Sequence, residues 1–230
     1  MTRYIVRHGL QTRITHGIFS ISCILLALTG LFVFIPALAA AVPPGVVFAI
    51  RMGHRTLGII FVVIPIISGI TAPKGAKHMF GNYFKKWDKD DTIWLKKFIP
   101  YMLGPKRVHM PDQRELKSGQ VVADGALIVG AVFIAISGII LLVGSNVGTF
   151  SAGLMLAMRI VHDVAFIWLI VFGLAHIFLG LGIFQPYRRT YKMMFGNGRV
   201  SESDALYHWG YWAREEIETG EHIVEVDDDK

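Results

Sequence analysis

Four apolar stretches constrain this chain more than any other feature. They lie near residues 16–38, 54–72, 122–144 and 156–184, and about 20 helical residues suffice to cross a hydrocarbon core of about 30 Å. In lipid a backbone must satisfy its own hydrogen bonds, so such stretches cross as helices. The expected fold is all-α: an integral membrane four-helix transmembrane bundle, one domain over residues 1–230, with a loop at 73–120 and a tail at 185–230. The second stretch is the shortest, bounded by Arg55 and Lys74, whose long side chains are expected to reach the headgroups by snorkelling. Gly30, Gly58, Gly69, Gly130, Gly138, Gly173 and Gly180 inside the stretches suit close helix approach.

Composition agrees with a bilayer. With 53% hydrophobic and 17% charged residues in 230, the chain is too apolar for an ordinary soluble domain of that size. A disordered chain, collagen and a nucleic-acid-binding module are excluded, because the net charge of +6 is carried by segments flanking the apolar runs. The single cysteine, Cys23, offers no disulfide framework, no thiolate zinc site and no C-x-x-C-H for covalent haem. Any metal must be held by other side chains. The apolar run from Ile14 to Ala41 exceeds the usual length of a signal-peptide core, so it is expected to stay as the first span.

Orientation follows from the basic residues. Of the 23 Lys and Arg, all but Arg51, Arg55 and Arg159 fall before the first span, in the 73–120 loop or in the tail. The excess of Lys and Arg marks the cytoplasmic side, so both termini are expected there, in a multi-pass protein of the inner membrane. Within the loop, Asp90, Asp91 and Thr92 followed by Ile93, Trp94, Phe98, Ile99 and Met102 predict an amphipathic surface helix. Tyr187, Arg188, Arg189, Tyr191 and Lys192 read as an interfacial belt. Ser201 to Glu218, with Trp209 and Trp212, predicts a second cytoplasmic surface helix.

Of nine histidines, His16, His54, His162 and His176 sit at or within the apolar stretches. Ionisable groups at membrane depth are expensive and mark function. His162 and His176 are fourteen residues apart, which places them within roughly 40° of one helix face and about 21 Å apart along it. His16 enters the first span at its cytoplasmic end and His54 enters the second at its outer end. Depth therefore pairs His54 with His162 and His16 with His176. Two neutral imidazoles facing each other suit a macrocyclic iron with both axial positions filled, which carries electrons and leaves no open site for substrate. The expectation is two non-covalent haem b groups. Arg51, Arg55 and Arg159 flank the outer pair, and Arg13 stands beside His16, where haem propionates would emerge.

These residues resemble the cytochrome b (gamma) subunit of membrane-bound, quinone-linked formate dehydrogenase, within the wider group of four-helix dihaem cytochromes b. The resemblance covers nearly the whole chain. It rests on Arg13-x-x-His16, His54, His162 and His176, and on a tail with Gly196, Gly198, Arg199, Val200 and Ser201 followed by Trp209, Tyr211, Trp212 and Arg214. It implies that the four histidines are haem ligands, paired as above, and that an iron–sulfur subunit fed by a molybdenum or tungsten catalytic subunit delivers the electrons. It also implies a quinone, menaquinone or ubiquinone, beside the inner haem. The family's Asn-x-Gly-Gln element there corresponds to Lys117, Ser118, Gly119 and Gln120, with Lys117 in place of the asparagine. Gly119 is expected to let the quinone ring approach the backbone, Gln120 or Lys117 to hydrogen-bond a carbonyl, and Asp124, Lys117 or His78 to relay protons. Alternative readings are a cytochrome b serving a hydrogenase or another periplasmic oxidoreductase, and a transporter relaying protons through its histidines.

Overall fold

The computed structural model describes residues 2–148, 150–183 and 185–226. Strand β1 (Thr2–Val6) is followed by α1 (Leu10–Phe34), the short α2 (Pro36–Ala40), α3 (Pro44–Thr71), α4 (Pro73–Tyr83) and α5 (Lys89–Leu103). Then come α6 (Ser118–Val147), α7 (Ala152–Gly180), α8 (Lys192–Phe195), β2 (Arg199–Ser201), α9 (Glu202–His208), α10 (Gly210–Thr219) and β3 (Ile223–Val226). Helices α1, α3, α6 and α7 are each long and apolar enough to cross a membrane, so the expected four spans are present.

Their limits differ from the apolar stretches. The first helix closes at Phe34, short of residue 38, because Pro36 restarts the chain as α2 with proline in its first turn. The second opens at Pro44, ten residues before His54. Arg51, His54 and Arg55 are therefore inside a 28-residue helix, and the expected short span that relied on snorkelling is replaced by a long one. Charge ended the sequence reading there, whereas the helix runs on beyond the apolar core.

The chain divides into two compact units. One holds Thr15–Thr71 and Ala126–Leu174, the bodies of the four long helices. Large apolar side chains such as Ile21, Phe48, Ile66, Phe133 and Val171 are exposed on it, as lipid-facing surfaces are. Of the glycines expected to admit close approach, Gly130 does so: a Cβ there would stand 2.7 Å from the Trp168 ring and 2.9 Å from Leu169. Gly58, Gly69, Gly173 and Gly180 have open space instead.

The other unit holds the ends of the chain and the 72–125 segment. It adds to one expectation and corrects another. The all-α reading omitted a three-stranded sheet in the order β2-β1-β3. In it Ile5 pairs with Val200 on one side and Ile223 on the other, antiparallel in both cases. The single helix expected over Ser201 to Glu218 is two helices broken at Trp209, whose backbone, at φ −138° and ψ 56°, is not helical. Its core is Ile5, Val200, Ala205, Trp209, Trp212 and Ala213. The Arg7 guanidinium lies 4.1 Å over the Trp209 ring and 4.7 Å over that of Trp212, which seals the core with a cation.

The 73–120 loop holds two helices, of which the expected surface helix is α5. Its N-cap is Asp88, one residue or more before the predicted start. Asp88 accepts from the Asp90 and Asp91 amides, and Asp91 accepts from the Asp88 amide at 2.9 Å. That reciprocal cap satisfies donors that no helical carbonyl reaches. The same Asp91 accepts from the Ser118 hydroxyl at 2.8 Å, tying α5 to the first turn of α6.

Candidate haem-binding site

His54 on α3 and His162 on α7 meet in the helical unit, with ring centroids 6.4 Å apart and planes at 73°. An imidazole nitrogen binds a metal at about 2.0 Å and lies roughly 1.1 Å from its ring centre, so two imidazoles on opposite sides of one metal have centres roughly 6 Å apart. The observed spacing fits one iron between them. Among the described residues no three His, Cys, Asp or Glu side chains converge. Two protein ligands are the set that a macrocycle completes, since it supplies the four equatorial nitrogens itself.

Each imidazole is held from behind. The Thr29 hydroxyl on α1 is 2.9 Å from His54 Nδ1 and donates its proton to the Leu25 carbonyl at 2.7 Å. The Ser137 hydroxyl on α6 is 3.0 Å from His162 Nδ1 and donates to the Phe133 carbonyl at 2.7 Å. A hydroxyl has one proton, so with that proton on the carbonyl its oxygen accepts from Nδ1–H. This assigns the tautomer: Nδ1 carries the hydrogen and Nε2 presents a bare lone pair, the form that ligates a metal.

The next residue in each helix is glycine. A Cβ at Gly30 would stand 3.5 Å from His54 Cε1, and one at Gly138 would stand 3.2 Å from His162 Cε1. At Gly138 even a methyl would press on the ring, and at Gly30 anything larger than a methyl would. Both glycines thus do something sharper than general helix packing. Thr29 and Ser137 escaped the sequence reading because a hydroxyl in an apolar helix ordinarily bonds its own backbone and means little. The available signal was the Thr-Gly and Ser-Gly dipeptide opposite each histidine.

The remaining site residues are distributed as follows. Arg51, Arg55 and Arg159 are exposed on α3 and α7, with Arg51 and Arg159 each three residues before a histidine and so on its helix face. His16 lies on α1 in the helical unit, 3.4 Å from the Ser20 hydroxyl. His176 belongs to the other unit, where its Nδ1 is 3.1 Å from Asp124 Oδ1 on α6. That carboxylate fixes the tautomer as the hydroxyls do for the first pair. Arg13 donates to the Gly196 carbonyl.

The expected quinone residues are engaged elsewhere. Lys117 is 3% exposed, with Nζ 3.0 Å from His208 Nδ1 and 4.5 Å over both the Tyr187 and Trp209 rings. Burial, reinforced by the Arg7 charge, pushes its amine well below the lysine range. Burial and then the Lys117 charge push His208 down to about 2, so the amine donates and His208 accepts. The space over Gly119 is filled: a Cβ there would collide with the Trp94 ring. The indole of α5 covers that face of the glycine. Gln120 Oε1 accepts from the Lys117 amide at 3.4 Å. His78, expected as a proton relay, hydrogen-bonds Glu115 at 2.7 Å, and Tyr187, expected in the interfacial belt, stacks on His208.

No curated protein matches this chain. A family model described as prokaryotic cytochrome b561 matches residues 7–197, which include all four histidines. The chain therefore belongs to the prokaryotic cytochrome b561 family, multi-pass membrane proteins that bind haem b and carry electrons across the bilayer.

Proposed function

We propose that this chain is the dihaem b subunit of a respiratory complex of the formate dehydrogenase kind, passing electrons from the periplasmic side to a quinone on the cytoplasmic side. The observation that carries the reading is the His54–His162 pair, whose 6.4 Å spacing and backed Nδ1 atoms suit two axial ligands of one haem. His16 and His176 are the ligands proposed for a second. A haem held there would supply one-electron transfer. His54 and His162 would hold its iron, and Arg51, Arg55 and Arg159 would neutralise its propionates. Arg13 serves the same purpose beside His16.

The donor is an iron–sulfur partner subunit fed by a molybdenum or tungsten enzyme, and the acceptor is menaquinone or ubiquinone. Two electrons and two protons convert it to quinol, with the protons drawn from the cytoplasm. Both termini are cytoplasmic in this reading. Moving each electron inward against a negative-inside potential then stores about 2.3 kcal/mol per 100 mV.

The test is a dithionite-reduced minus oxidised spectrum and haem assay on the purified full chain, followed by isolation of the native complex. Two haems per chain with an iron–sulfur and a molybdenum or tungsten subunit attached is the expected outcome. One haem per chain would end the dihaem reading, and a co-purifying nickel hydrogenase would replace the formate dehydrogenase assignment.

A further inference from the structure

The two hydroxyl-to-histidine contacts each span 25 residues of sequence, and this coincidence extends further. A shift of 108 positions carries Ala27, Thr29 and Gly30 onto Ala135, Ser137 and Gly138. The same shift carries Gly45, Ala49, Arg51 and His54 onto Gly153, Ala157, Arg159 and His162. The helices follow suit, since α1 and α3 of the first half correspond to α6 and α7 of the second. Each half sends one helix across the membrane and one back, so the second half repeats the first in the same direction, and the axis relating them runs along the membrane normal.

His54 faces its own equivalent, His162. A residue meets its equivalent only at the two-fold axis. Away from this site the equivalence lapses: the shift carries His16 onto Asp124 and Ser68 onto His176, so only one pair of histidines is matched.

We infer that the His54–His162 haem pocket is a duplicated half-site, in which Thr29 and Ser137 are equivalent positioning residues that together set the potential of the iron on its axis. This rests on the reading that His54 and His162 ligate a haem. Each hydroxyl oxygen accepts Nδ1–H and so enriches the electron density that its imidazole offers through Nε2. A richer ligand favours ferric iron over ferrous and lowers the potential. Replacing either hydroxyl by an apolar group removes that contribution from one side only. Because the metal lies on the axis, both sides count equally.

The experiment is a redox titration with low-temperature electron paramagnetic resonance of the ferric haems, on the full chain carrying Thr29→Val, Ser137→Ala or both. Each single variant should keep its haem and shift the ferric–ferrous equilibrium of this one haem about tenfold towards ferrous, about 59 mV for one electron. The double variant should shift it by about the product of the two, with any second haem unmoved. Thr29→Ser and Ser137→Thr, which keep the hydroxyl, should keep the wild-type potential. If Thr29→Val loses the haem, Thr29→Ser decides: retention at the wild-type potential supports the inference and loss overturns it. Unchanged potentials and spectra in both single variants would overturn it, as would a shift in one without a comparable shift in the other. Should His54→Ala and His162→Ala retain every haem, the ligand reading itself has failed, whatever the hydroxyl variants show.

Discussion

At the scale of single residues, the meeting of His54 and His162 was within reach of the sequence, because ionisable groups are rare at membrane depth and matching depths put these two together. Their partners were not legible, since Thr29 and Ser137 are ordinary residues until a histidine 25 positions on is known to face them. His54→Ala and His162→Ala should each remove the same haem and His16→Ala and His176→Ala the other, read as one haem per chain remaining in a haem assay. Loss of the same haem in His16→Ala and His162→Ala would break the pairing. His208 yields a pH prediction. Its folded-state value of about 2 lies below the ordinary value of about 6.5, so between those limits the unfolded chain binds a proton that the folded chain refuses. Stability should therefore fall as pH is lowered through that window, by up to about 1.4 kcal/mol per pH unit from this group. Thermal unfolding between pH 6.5 and 4.5 measures it, and His208→Asn should flatten the slope by that amount.

At the scale of elements, periodicity and apolar length found the spans and the α5 surface helix, but not where the helices end. Pro44 sits outside any apolar core, yet proline at a first helical position starts α3 there. The sheet strands were beyond reach, being three to five residues long with partners at opposite ends of the sequence. Lys117 looked like a polar substituent at a membrane entrance, and only the fold reveals it boxed by Tyr187, Trp209 and His208. The joint between α5 and α6 gives a prediction of its own. Trp94 is 4% exposed and stacked on Gly119, so Gly119→Leu should displace it and lower stability by about 1–3 kcal/mol, the usual range for overpacking. A thermal shift of the purified protein reads this. The visible spectrum of the haem proposed at His54 and His162 should be unchanged, because those residues belong to the other unit.

At the scale of the whole molecule, the basic-residue count and the sheet bear on the same property by separate routes. Twenty of the 23 Lys and Arg argue for a cytoplasmic location of both ends. Strand β1 precedes the first span and β2 and β3 follow the last, and their hydrogen bonds hold both ends on one side of the membrane whatever the charges do. An even number of crossings is the topological requirement, and four long helices meet it. A reporter joined after Lys230 should be active only in the cytoplasm, and activity confined to the periplasm would reverse the proposed direction of electron flow.

The central strand of that sheet is made before all four long helices, and its two neighbours are made after them. At about 5–20 residues per second, Thr2–Val6 waits roughly ten to forty seconds with both edges unpaired, while the four long helices are made. Exposed strand edges in a partly made chain recruit chaperones or, failing that, other strands. A chain cut short before Ile223 lacks β3 and leaves the edge of β1 that pairs with it open.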